Sequence, residues 1–501
     1  MGPGPVWDTL IVGGGSAGCA LAGRLSEDPG RRVLLLEAGP AYPDAGSYPT
    51  EVRDVGSLAS ASEGHALNWA FATELAAGRR ASTTRGRLLG GSSAINGANH
   101  LRATPADVEG WYGWSWEDAR DAYVRGEDDH DFDGPEHGHA GPVPVERPAG
   151  ELLAGLTQRV VRGAAGLGVP VERDKNAGGP PGVGLVPANA VRGVRVNAAM
   201  AYVLPHLDRP NLTVRGDTPV ARVLLDGTRA AGVVTCAGER IEAGEVVLSA
   251  GAVKSPQLLA LSGVGPADEL RAAGVAVVAD RPGVGHGWSD HPSVFLGFGY
   301  DESLHPEAVS TQAVVHLDAG TLDPSLPPDP AGDLEVLLFA RPFSPGGPRH
   351  LMCAVQRPDS RGSSVLVDDD PSTCPRISHH YLASALDRAR MRAVVRFAGE
   401  LLSSTGITIP AVAGMSDPEL DAWVAGSLTT SSHLCGSAAT GAPDDPSAVV
   451  DPQFRVYGVQ GLRVVDTSVL PVVPRRGPAA TALMLGEVAA RLMSAAGVDA
   501  R

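Results

Sequence analysis

The sequence predicts a two-domain α/β protein, with a doubly wound parallel sheet in one domain and a mostly antiparallel sheet with helices in the other. Three observations lead to this fold class. The chain has 501 residues, which is enough for two or three packed layers. It opens on a strand, a glycine-rich turn, a helix and a second strand, an order typical of parallel sheets. Its middle part carries short apolar runs between turns rich in Pro, Gly and Asp, which indicate antiparallel pairing.

Composition and charge place the chain among globular proteins and exclude several partners. Hydrophobic residues make up 43% and charged residues 20% of the sequence, which is typical of a folded domain. The 41 Lys and Arg against 57 Asp and Glu give a formal net charge of −16, so we expect no nucleic-acid partner. The five cysteines are scattered without a CxxC motif, which argues against a disulfide framework or a zinc site. We expect a cytoplasmic protein without an integral membrane segment.

The opening segment predicts a βαβ unit with a glycine-rich turn. Residues 9–12 are predicted as a strand, residues 19–25 as a helix, and residues 33–36 as a second strand ending at Glu37. Gly13-x-Gly15-x-x-Gly18 lies between the first strand and the helix. In such a turn the first glycine permits the bend, the second admits a pyrophosphate, and the third lets the helix pack on the strand. An acid at the end of the second strand accepts hydrogen bonds from ribose hydroxyls, so the pattern predicts a dinucleotide site.

Two other motif interpretations are weaker. Gly14-x-Ser16-x-Gly18 also matches the nucleophile elbow of serine hydrolases, but that elbow follows several strands, whereas Ser16 follows the first strand of the chain. The run Asp128-Asp129-His130-Asp131 contains metal-ligand residue types. We instead assign residues 107–151 to surface loops and short helices, and we predict no metal site.

The rest of the chain predicts both sheets and two long helices. Strands are expected between residues 212 and 248, and further strands separated by turns between residues 294 and 367. Residues 387–403 are predicted as an amphipathic helix, and residues 481–495 as the final helix.

Four further blocks carry a family resemblance. They are Gly86-Arg87-Leu88-Leu89-Gly90-Gly91-Ser92-Ser93-Ala94-Ile95-Asn96, the run 251–265, Ser432-His433-Leu434-Cys435-Gly436 and the run 461–471. Together with the opening turn, they stand in the order found in glucose–methanol–choline (GMC) flavoprotein oxidoreductases. The run 251–265 matches the second signature of that family at every fixed position. The chain resembles this family from residue 8 to about residue 492.

The resemblance implies a bound FAD. In the family the opening turn and its acid hold the ADP half of the cofactor, one residue meets the adenine through its backbone, and later blocks lie along the pyrophosphate and the flavin. The cofactor-binding residues implied for this chain are Gly13, Gly15, Ser16, Gly18, Glu37, Ala38, Trp69, Arg87, Gly91, Ser92, Asn96, Gly97, Ala98, Val220, Asp466 and Ala479. Members with covalent flavin carry a His where this chain has Ile95, so we expect non-covalent FAD.

The resemblance also implies the reaction. The family oxidises alcohols by hydride transfer to flavin N5, and His433 stands at the position of its active-site histidine. An imidazole whose pKa lies near the working pH suits acceptance of the hydroxyl proton. We therefore predict an FAD-dependent oxidoreductase that converts a small-molecule alcohol to an aldehyde or ketone and passes electrons to oxygen, a quinone or a carrier. The pair His379-His380 is predicted to be structural or to line the pocket.

One position departs from the family. The second active-site residue, a His or Asn, is replaced by Gly477 within Arg475-Arg476-Gly477-Pro478. His433 then acts alone, or another element, a substrate group or a neighbouring arginine stands in. The run resembles the mycofactocin-associated branch of the family, in which electrons pass onward rather than mainly to oxygen. Two alternative functions follow: a non-standard redox step in natural-product or redox-cofactor metabolism, and, less favoured, a non-catalytic FAD-binding scaffold.

The same resemblance divides the chain into five segments. Residues 1–150, 191–290 and 430–501 are assigned to the Rossmann-like FAD-binding domain, and the last of them carries the active-site histidine. Residues 151–190 are a substrate-domain segment or a connection, and residues 291–429 form the substrate domain.

Overall fold

Helices and short strands alternate along most of the chain. The computed structural model describes residues 7–407 and 411–498. The α-helices of these residues are α1 (Ser16–Leu25), α2 (Thr50–Arg53), α3 (Pro105–Val108), α4 (Trp116–Gly126), α5 (Gly155–Gly166), α6 (Ala198–Tyr202), α7 (Gly251–Leu261), α8 (Ala267–Ala272), α9 (Ala319–Leu322), α10 (Ala385–Ser404), α11 (Asp417–Ser427) and α12 (Ala479–Val498). The long helices predicted over 387–403 and 481–495 are confirmed as α10 and α12.

The strands are short and fall into three main sheets and several two-stranded pairs. They are β1 (Trp7–Val12), β2 (Val33–Leu36), β3 (Asn68–Ala76), β4 (Arg79–Gly86), β5 (Glu127–Asp129), β6 (Val143–Val145), β7 (Val183–Leu185), β8 (Ala190–Val191), β9 (Val194–Arg195), β10 (Leu212–Arg215), β11 (Val220–Asp226), β12 (Arg229–Thr235), β13 (Arg240–Leu248), β14 (Val264–Gly265), β15 (Ala279–Asp280), β16 (His286–Trp288), β17 (Pro292–Phe298), β18 (Thr311–Leu317), β19 (Leu334–Phe339), β20 (Arg349–Val355), β21 (Gly362–Val365), β22 (Arg376–Ser378), β23 (Thr429–Thr430) and β24 (Leu462–Val464).

The first sheet is built around a parallel centre. Its order is β10-β2-β1-β13-β12-β11, and β24 also pairs with β13. Strands β10, β2, β1, β13 and β24 run parallel, whereas β12 and β11 are antiparallel to their neighbours. Every residue from Thr9 to Val12 is buried, as expected where both faces of a parallel sheet are covered. The α/β fold class is therefore confirmed, and the first sheet is mixed, with a parallel centre and two antiparallel strands at one side.

The turn between β1 and α1 needs glycine for two separate reasons. Gly13 adopts φ +104°, and a Cβ on it would lie 2.5 Å from the carbonyl oxygen of Ser249. A Cβ on Gly18 would overlap the carbonyl oxygen of Gly13. The start of α1 therefore packs directly against the end of β1, which leaves the N-terminus of the helix at the carboxyl edge of the sheet.

The second main sheet is the predicted antiparallel one. Its order is β23-β17-β20-β19-β18-β7, and all its pairs are antiparallel. Side chains alternate between the two faces of a strand. On β19, Val336 and Leu338 belong to the hydrophobic core formed with α5, α10 and α11, whereas Leu337 and Phe339 belong to a separate cluster on the opposite face. The opposite face is therefore free to form the wall of a cavity.

A third sheet joins distant parts of the chain. Its order is β16-β21-β22-β3-β4, and β3 pairs in parallel with β22 across about 300 residues of sequence. This sheet was not predicted from the sequence. Among the described residues, no helix combines the length and the apolar character needed to span a bilayer.

Candidate active site

One large cavity lies between the first and second sheets. Its volume is about 860 Å³. It begins at Thr218 and Val220, passes the glycine turn after β1, and ends between His433 and the antiparallel sheet. The sequence-predicted residues that line it are Gly13, Gly15, Ser16, Glu37, Ala38, Trp69, Gly91, Ser92, Asn96, Gly97, Val220, His433, Asp466 and Ala479.

Three predicted residues do not reach the cavity wall. Gly18 packs beneath the turn, as described above. The guanidinium of Arg87 lies 5.2 Å from the centre of the Trp69 ring. Ala98 is buried, and its N–H donates to Asn96 Oδ1 at 2.9 Å. These three residues therefore support the residues that line the cavity.

The end of the cavity near the glycine turn has the features that a dinucleotide needs. No side chain caps the N-terminus of α1, so the first N–H groups of the helix lack protein acceptors and can bind phosphate. A Cβ on Gly91 would lie 2.6 Å from the Cα of Gly15, so the two glycine-rich turns are in backbone contact. Glu37 accepts from the N–H groups of Gly14 and Gly39, at 2.9 Å each. The residues present therefore fit a bound FAD.

Two buried carboxylates border that end of the cavity. Burial raises the pKa of Glu37 to about 7, although the N–H groups of Gly39 and Gly14 oppose the rise. Burial also raises the pKa of Asp466, which accepts from the Gly251 N–H at 2.9 Å and from the Ser255 hydroxyl at 2.5 Å. Through Asp466, the start of α7 is held beside the loop that follows β24.

At the other end of the cavity, a buried aspartate fixes the loop that carries His433. The Asp290 carboxylate accepts from the backbone N–H of His433 at 2.7 Å and of His291 at 2.8 Å. It also accepts from the Thr430 hydroxyl at 2.8 Å. Burial opposes ionisation of Asp290, but the ring of His379 and the guanidinium of Arg85 hold the pKa of Asp290 below the usual range. The aspartate thus orients the histidine through its backbone.

The His433 ring has one occupied edge and one open edge. Its Nδ1 lies 2.9 Å from Nδ1 of His291. On its other edge, a Cβ on Gly477 would lie 3.3 Å from Cε1 and 3.4 Å from Nε2. His433 lines the cavity, so the Nε2 edge is the one available to a ligand.

The pKa of His433 differs from the sequence-based expectation of a value near the working pH. Burial lowers it to about 4, and the charge of Arg85 adds to this effect while Asp290 opposes it. A neutral imidazole is therefore present at neutral pH. Its role as a base then depends on which ring nitrogen carries the proton.

The arginines beside Gly477 do not enter the cavity. Arg475 pairs with Asp107 at 2.6 Å and with Asp329 at 2.7 Å. Arg476 is buried, and its Nη1 donates to the carbonyl of Arg475 at 3.2 Å. Neither guanidinium fills the space that the missing side chain leaves.

Sequence reasoning missed three functional candidates around His433. Arg85, at the end of β4, lines the cavity, while Asp290 and His291 lie behind His433. Arg85 directly precedes the glycine-rich block that begins at Gly86, which was a usable signal. For Asp290 and His291 no local pattern marks the contact, because their partner is more than 140 residues away in sequence.

The wall opposite the glycine turn is apolar and largely aromatic. It carries Phe295 from β17, Leu337 and Phe339 from β19, Met352 from β20, and Phe343. The Phe295 ring packs edge-on against the rings of Phe339 and Phe343, at 5.6 and 5.5 Å between ring centres. Such a surface favours an apolar ligand with a ring that can stack or pack edge-on.

Glu335 is the acidic residue on this wall. It lies on β19 beside Leu337 and lines the cavity. Its carboxylate is 3.0 Å from Nε2 of His316. Burial raises the pKa of Glu335 to about 7, although Arg476 and Lys175 oppose the rise. Glu335 is therefore a weak partner for a cationic ligand.

The acidic region 127–147 differs from the predicted surface loops. Glu127 and Asp129 are buried and lie close enough to His137 to hold a metal ion between them. However, Glu127 pairs with Arg102, and Asp129 pairs with Arg147. Although burial opposes it, hydrogen bonds to Asp129 and Asp174 raise the pKa of His137 to about 11. These opposite charges balance one another, which makes the cluster a buried ion-pair network.

The predicted pair His379-His380 is divided by the structure. His379 is buried, 3.5 Å from Asp290, and its ring packs edge-on to Trp288 at 4.9 Å. His380 is exposed, and its Nδ1 lies 2.9 Å from the carbonyl of Arg361. Neither lines the described cavity.

Comparisons with known proteins agree with this geometry. Two models of the GMC oxidoreductase family match residues 7–293 and 358–486. The chain is 41% identical to an uncharacterized GMC-type oxidoreductase in the thcA 5' region of Rhodococcus erythropolis, over 97% of this chain and 98% of that one. It is 32% identical to the 5-(hydroxymethyl)furfural oxidase of Methylovorus sp., over 96% and 97%. The crystal structure of pyridoxine 4-oxidase from Mesorbium loti superposes with a TM-score of 0.88, at 30% identity, over 98% of this chain and 99% of that chain.

Proposed function

This chain belongs to the GMC oxidoreductase family, and from that premise we propose that it oxidises a primary alcohol borne on an apolar ring, with His433 as the base. Membership makes it an FAD-dependent oxidoreductase that acts on CH–OH groups. The observation that carries the finer proposal is the cavity itself. One continuous space joins the glycine turn after β1, the open edge of His433 and the aromatic wall.

The residues around His433 prepare a proton transfer. When bound, FAD supplies the acceptor for the hydride that leaves the carbinol carbon. His433 Nε2 takes the hydroxyl proton, because its Nδ1 is occupied by His291 and its Nε2 edge faces the cavity. The carbinol thereby loses a hydride and a proton and becomes an aldehyde.

Arg85 is our candidate for the role left open by Gly477. It lines the cavity, and its charge lowers the pKa of both Asp290 and His433. A cation close to the base stabilises negative charge that develops on the substrate oxygen. The guanidinium of Arg85 would thus take over the role of the side chain that is missing at position 477. Arg475 and Arg476 do not, because neither lines the cavity.

The wall of the cavity supports an apolar ring as the substrate class. Phe295, Phe339 and Phe343 offer ring faces and edges, and Glu335 is paired with His316. The carboxylate on this wall is therefore not free to pair with a quaternary ammonium. One relative is named for a hydroxymethyl-substituted furan aldehyde, which is a substrate of the class that we propose here.

A non-standard redox step remains the second candidate. Gly477 favours it, because position 477 supplies no side-chain donor or base beside His433 Nε2. We also propose that FAD is bound non-covalently, since Ile95 lines the cavity where a covalent member carries a histidine. Release of all flavin on acid precipitation would support this.

The test is anaerobic reduction of the bound flavin by a panel of alcohols. We expect bleaching by 5-(hydroxymethyl)furfural and benzyl alcohol, slower bleaching by ethanol, and none by choline. His433→Asn should reduce the rate by about 100-fold or more with unchanged flavin content. His206→Asn is a matched control, because His206 does not line the cavity. A wild-type rate in His433→Asn would contradict the assignment of the base, and bleaching by choline alone would contradict the substrate class.

A further inference from the structure

The rings of buried His291 and cavity-lining His433 share one proton. Nδ1 of His291 and Nδ1 of His433 lie 2.9 Å apart, and the two rings are nearly perpendicular, at 89°. A separation of 2.9 Å requires a hydrogen on one of the two nitrogens. The tautomer of each ring is therefore tied to that of the other.

The surroundings of His291 decide which ring donates. Burial, aided by the neighbouring His433, lowers the pKa of His291 to about 3, so the ring is neutral and carries one N–H. Its Nε2 is buried and has no hydrogen bond of good geometry. The backbone of Gln356 and Pro474 lies beside the ring and favours its protonated form. Because Pro474 has no N–H, only its carbonyl can act in this way, and a carbonyl only accepts.

We infer that His291 is a positioning residue that fixes the tautomer of His433, which deepens the function proposed above and rests on it. Nδ1 of His291 faces His433, so Nε2 is the nitrogen left to carry the proton, and Nδ1 then carries a lone pair. His433 must then donate from Nδ1. Its own lone pair lies on Nε2, at the open edge that faces the cavity and Gly477.

The reverse assignment is unfavourable at both ends of the pair. If His291 donated from Nδ1, its buried Nε2 would hold a lone pair with no donor beside it. His433 would then carry its proton on Nε2, and no lone pair would face the cavity. A base in that tautomer could not accept a hydroxyl proton.

Backbone hydrogen bonds fix the position of the His291 ring relative to the His433 ring. The Asp290 carboxylate accepts from the N–H groups of both histidines. Ser289, one residue before Asp290, and Cys435, two residues after His433, exchange two backbone hydrogen bonds of 2.9 Å. The facing segments therefore behave as a short antiparallel bridge, which restricts the relative motion of the rings.

The tautomer can be observed directly in the holoenzyme. With ¹⁵N-labelled histidine, two-bond ¹H–¹⁵N correlation at pH 7 distinguishes protonated from unprotonated ring nitrogens. The His433 signals are those lost in His433→Asn. We expect a protonated Nδ1 and an unprotonated Nε2 for His433, and the opposite for His291. A protonated Nε2 on His433 would overturn the inference, whether or not any variant of His291 folds.

Variants of His291 give a second measurement. Asn at this position can place an acceptor oxygen near the site of Nδ1, whereas Leu cannot. We expect His291→Leu to lower kcat by about 100-fold, with KM and the flavin absorbance spectrum unchanged, and His291→Asn to recover at least half of that loss on a logarithmic scale. His206→Leu is the control, since His206 does not line the cavity. It should leave the His433 signals unchanged.

These outcomes separate the inference from the function on which it rests. A wild-type kcat in His291→Leu would overturn the positioning role while His433→Asn still tests the base. Full activity in His433→Asn would overturn the proposed function, even with the expected tautomer in the wild-type spectrum.

Discussion

The cofactor half and the substrate half of the cavity are built by different means. Around the glycine turn after β1, backbone atoms approach one another so closely that a Cβ on Gly91 would lie 2.6 Å from Gly15. Opposite that turn, the wall consists of side chains such as Phe295 and Phe339 from alternate positions of two strands. A backbone surface suits a constant cofactor, and a side-chain surface can change with the substrate while the fold is kept.

This contrast predicts where substitutions act. A change in the cofactor half should prevent the protein from holding FAD at all. A change in the substrate half should alter the rate or the choice of alcohol in an enzyme that still holds FAD.

The largest expected effect follows from Gly18→Ala. The added Cβ would overlap the carbonyl of Gly13, and relief of such overlap distorts the turn and costs about 1–3 kcal/mol. We expect purified protein without the flavin absorbance near 450 nm and without alcohol oxidation. Gly166→Ala, where a Cβ meets nothing within 4 Å, should bind FAD normally. A Gly18→Ala protein with full flavin content would show that the turn is not the constraint we describe.

The next largest effect is the loss of kcat/KM at acid pH, which follows from protonation of His433 in the substrate half. Because burial lowers the pKa of His433 to about 4, its lone pair is present above that pH and is lost as the pH falls through it. We expect kcat/KM to be flat from pH 6 to 8 and to fall about tenfold per pH unit below 4. A midpoint near 6.5 would mean that the ring is not buried as described.

Acid also acts on stability, so the rate must be measured by a rapid pH jump from pH 7. Burial lowers the pKa of His100 and His379 to about 4 as well. In the unfolded chain these histidines regain their ordinary pKa of about 6.5. Between pH 6.5 and pH 4 the unfolded state therefore binds more protons at these two positions than the folded state. The contribution of these two histidines to the free energy of unfolding should therefore fall between pH 6.5 and pH 4, whereas Glu37 and Glu335, whose pKa values burial raises to about 7, contribute in the opposite direction. Tryptophan fluorescence at each pH separates unfolding from titration of the base.

The same contrast explains what the sequence could predict. The β1–α1 turn was recognisable because a backbone surface requires glycine at fixed spacing, and α10 and α12 were recognisable from their long periodic patterns. The contact between His291 and His433 was not, because it joins segments more than 140 residues apart through side chains alone. Nor was the pairing of β3 with β22, since parallel register between distant strands leaves no local signal.

The substrate wall was equally hidden. Phe295 and Phe298 lie on the same strand, and both belong to an apolar run. Only the structure shows that Phe295 faces the cavity, whereas Phe298 packs in the core formed with α5, α10 and α11. An apolar residue in a buried strand looks the same in sequence on either face.

That pair provides a matched test of the substrate half. Phe295→Leu removes part of the aromatic wall, and we expect kcat/KM for benzyl alcohol to fall about tenfold with unchanged flavin content. Phe298→Leu makes the same change on the other face. It should cost about 1 kcal/mol of stability, which lowers the melting temperature of a 501-residue chain by about 1 °C, and leave kcat/KM as it was. Equal kinetic effects from the two variants would contradict the assignment of faces.

The smallest expected effect tests the open edge of His433 itself. A Cβ on Gly477 would lie 3.3 Å from Cε1 and 3.4 Å from Nε2 of the ring, so Gly477→Ala requires the ring to shift by a few tenths of an ångström. Misplacement of a reacting group by 1 Å costs about 100-fold in rate, and this smaller shift should lower kcat by about threefold with FAD still bound. Gly477→Asn adds the same Cβ together with a hydrogen-bond donor. If Gly477→Asn is faster than Gly477→Ala on benzyl alcohol, the donor role at this position is vacant. If the two variants are equally slow, and Arg85→Lys is slower than both, Arg85 already fills that role.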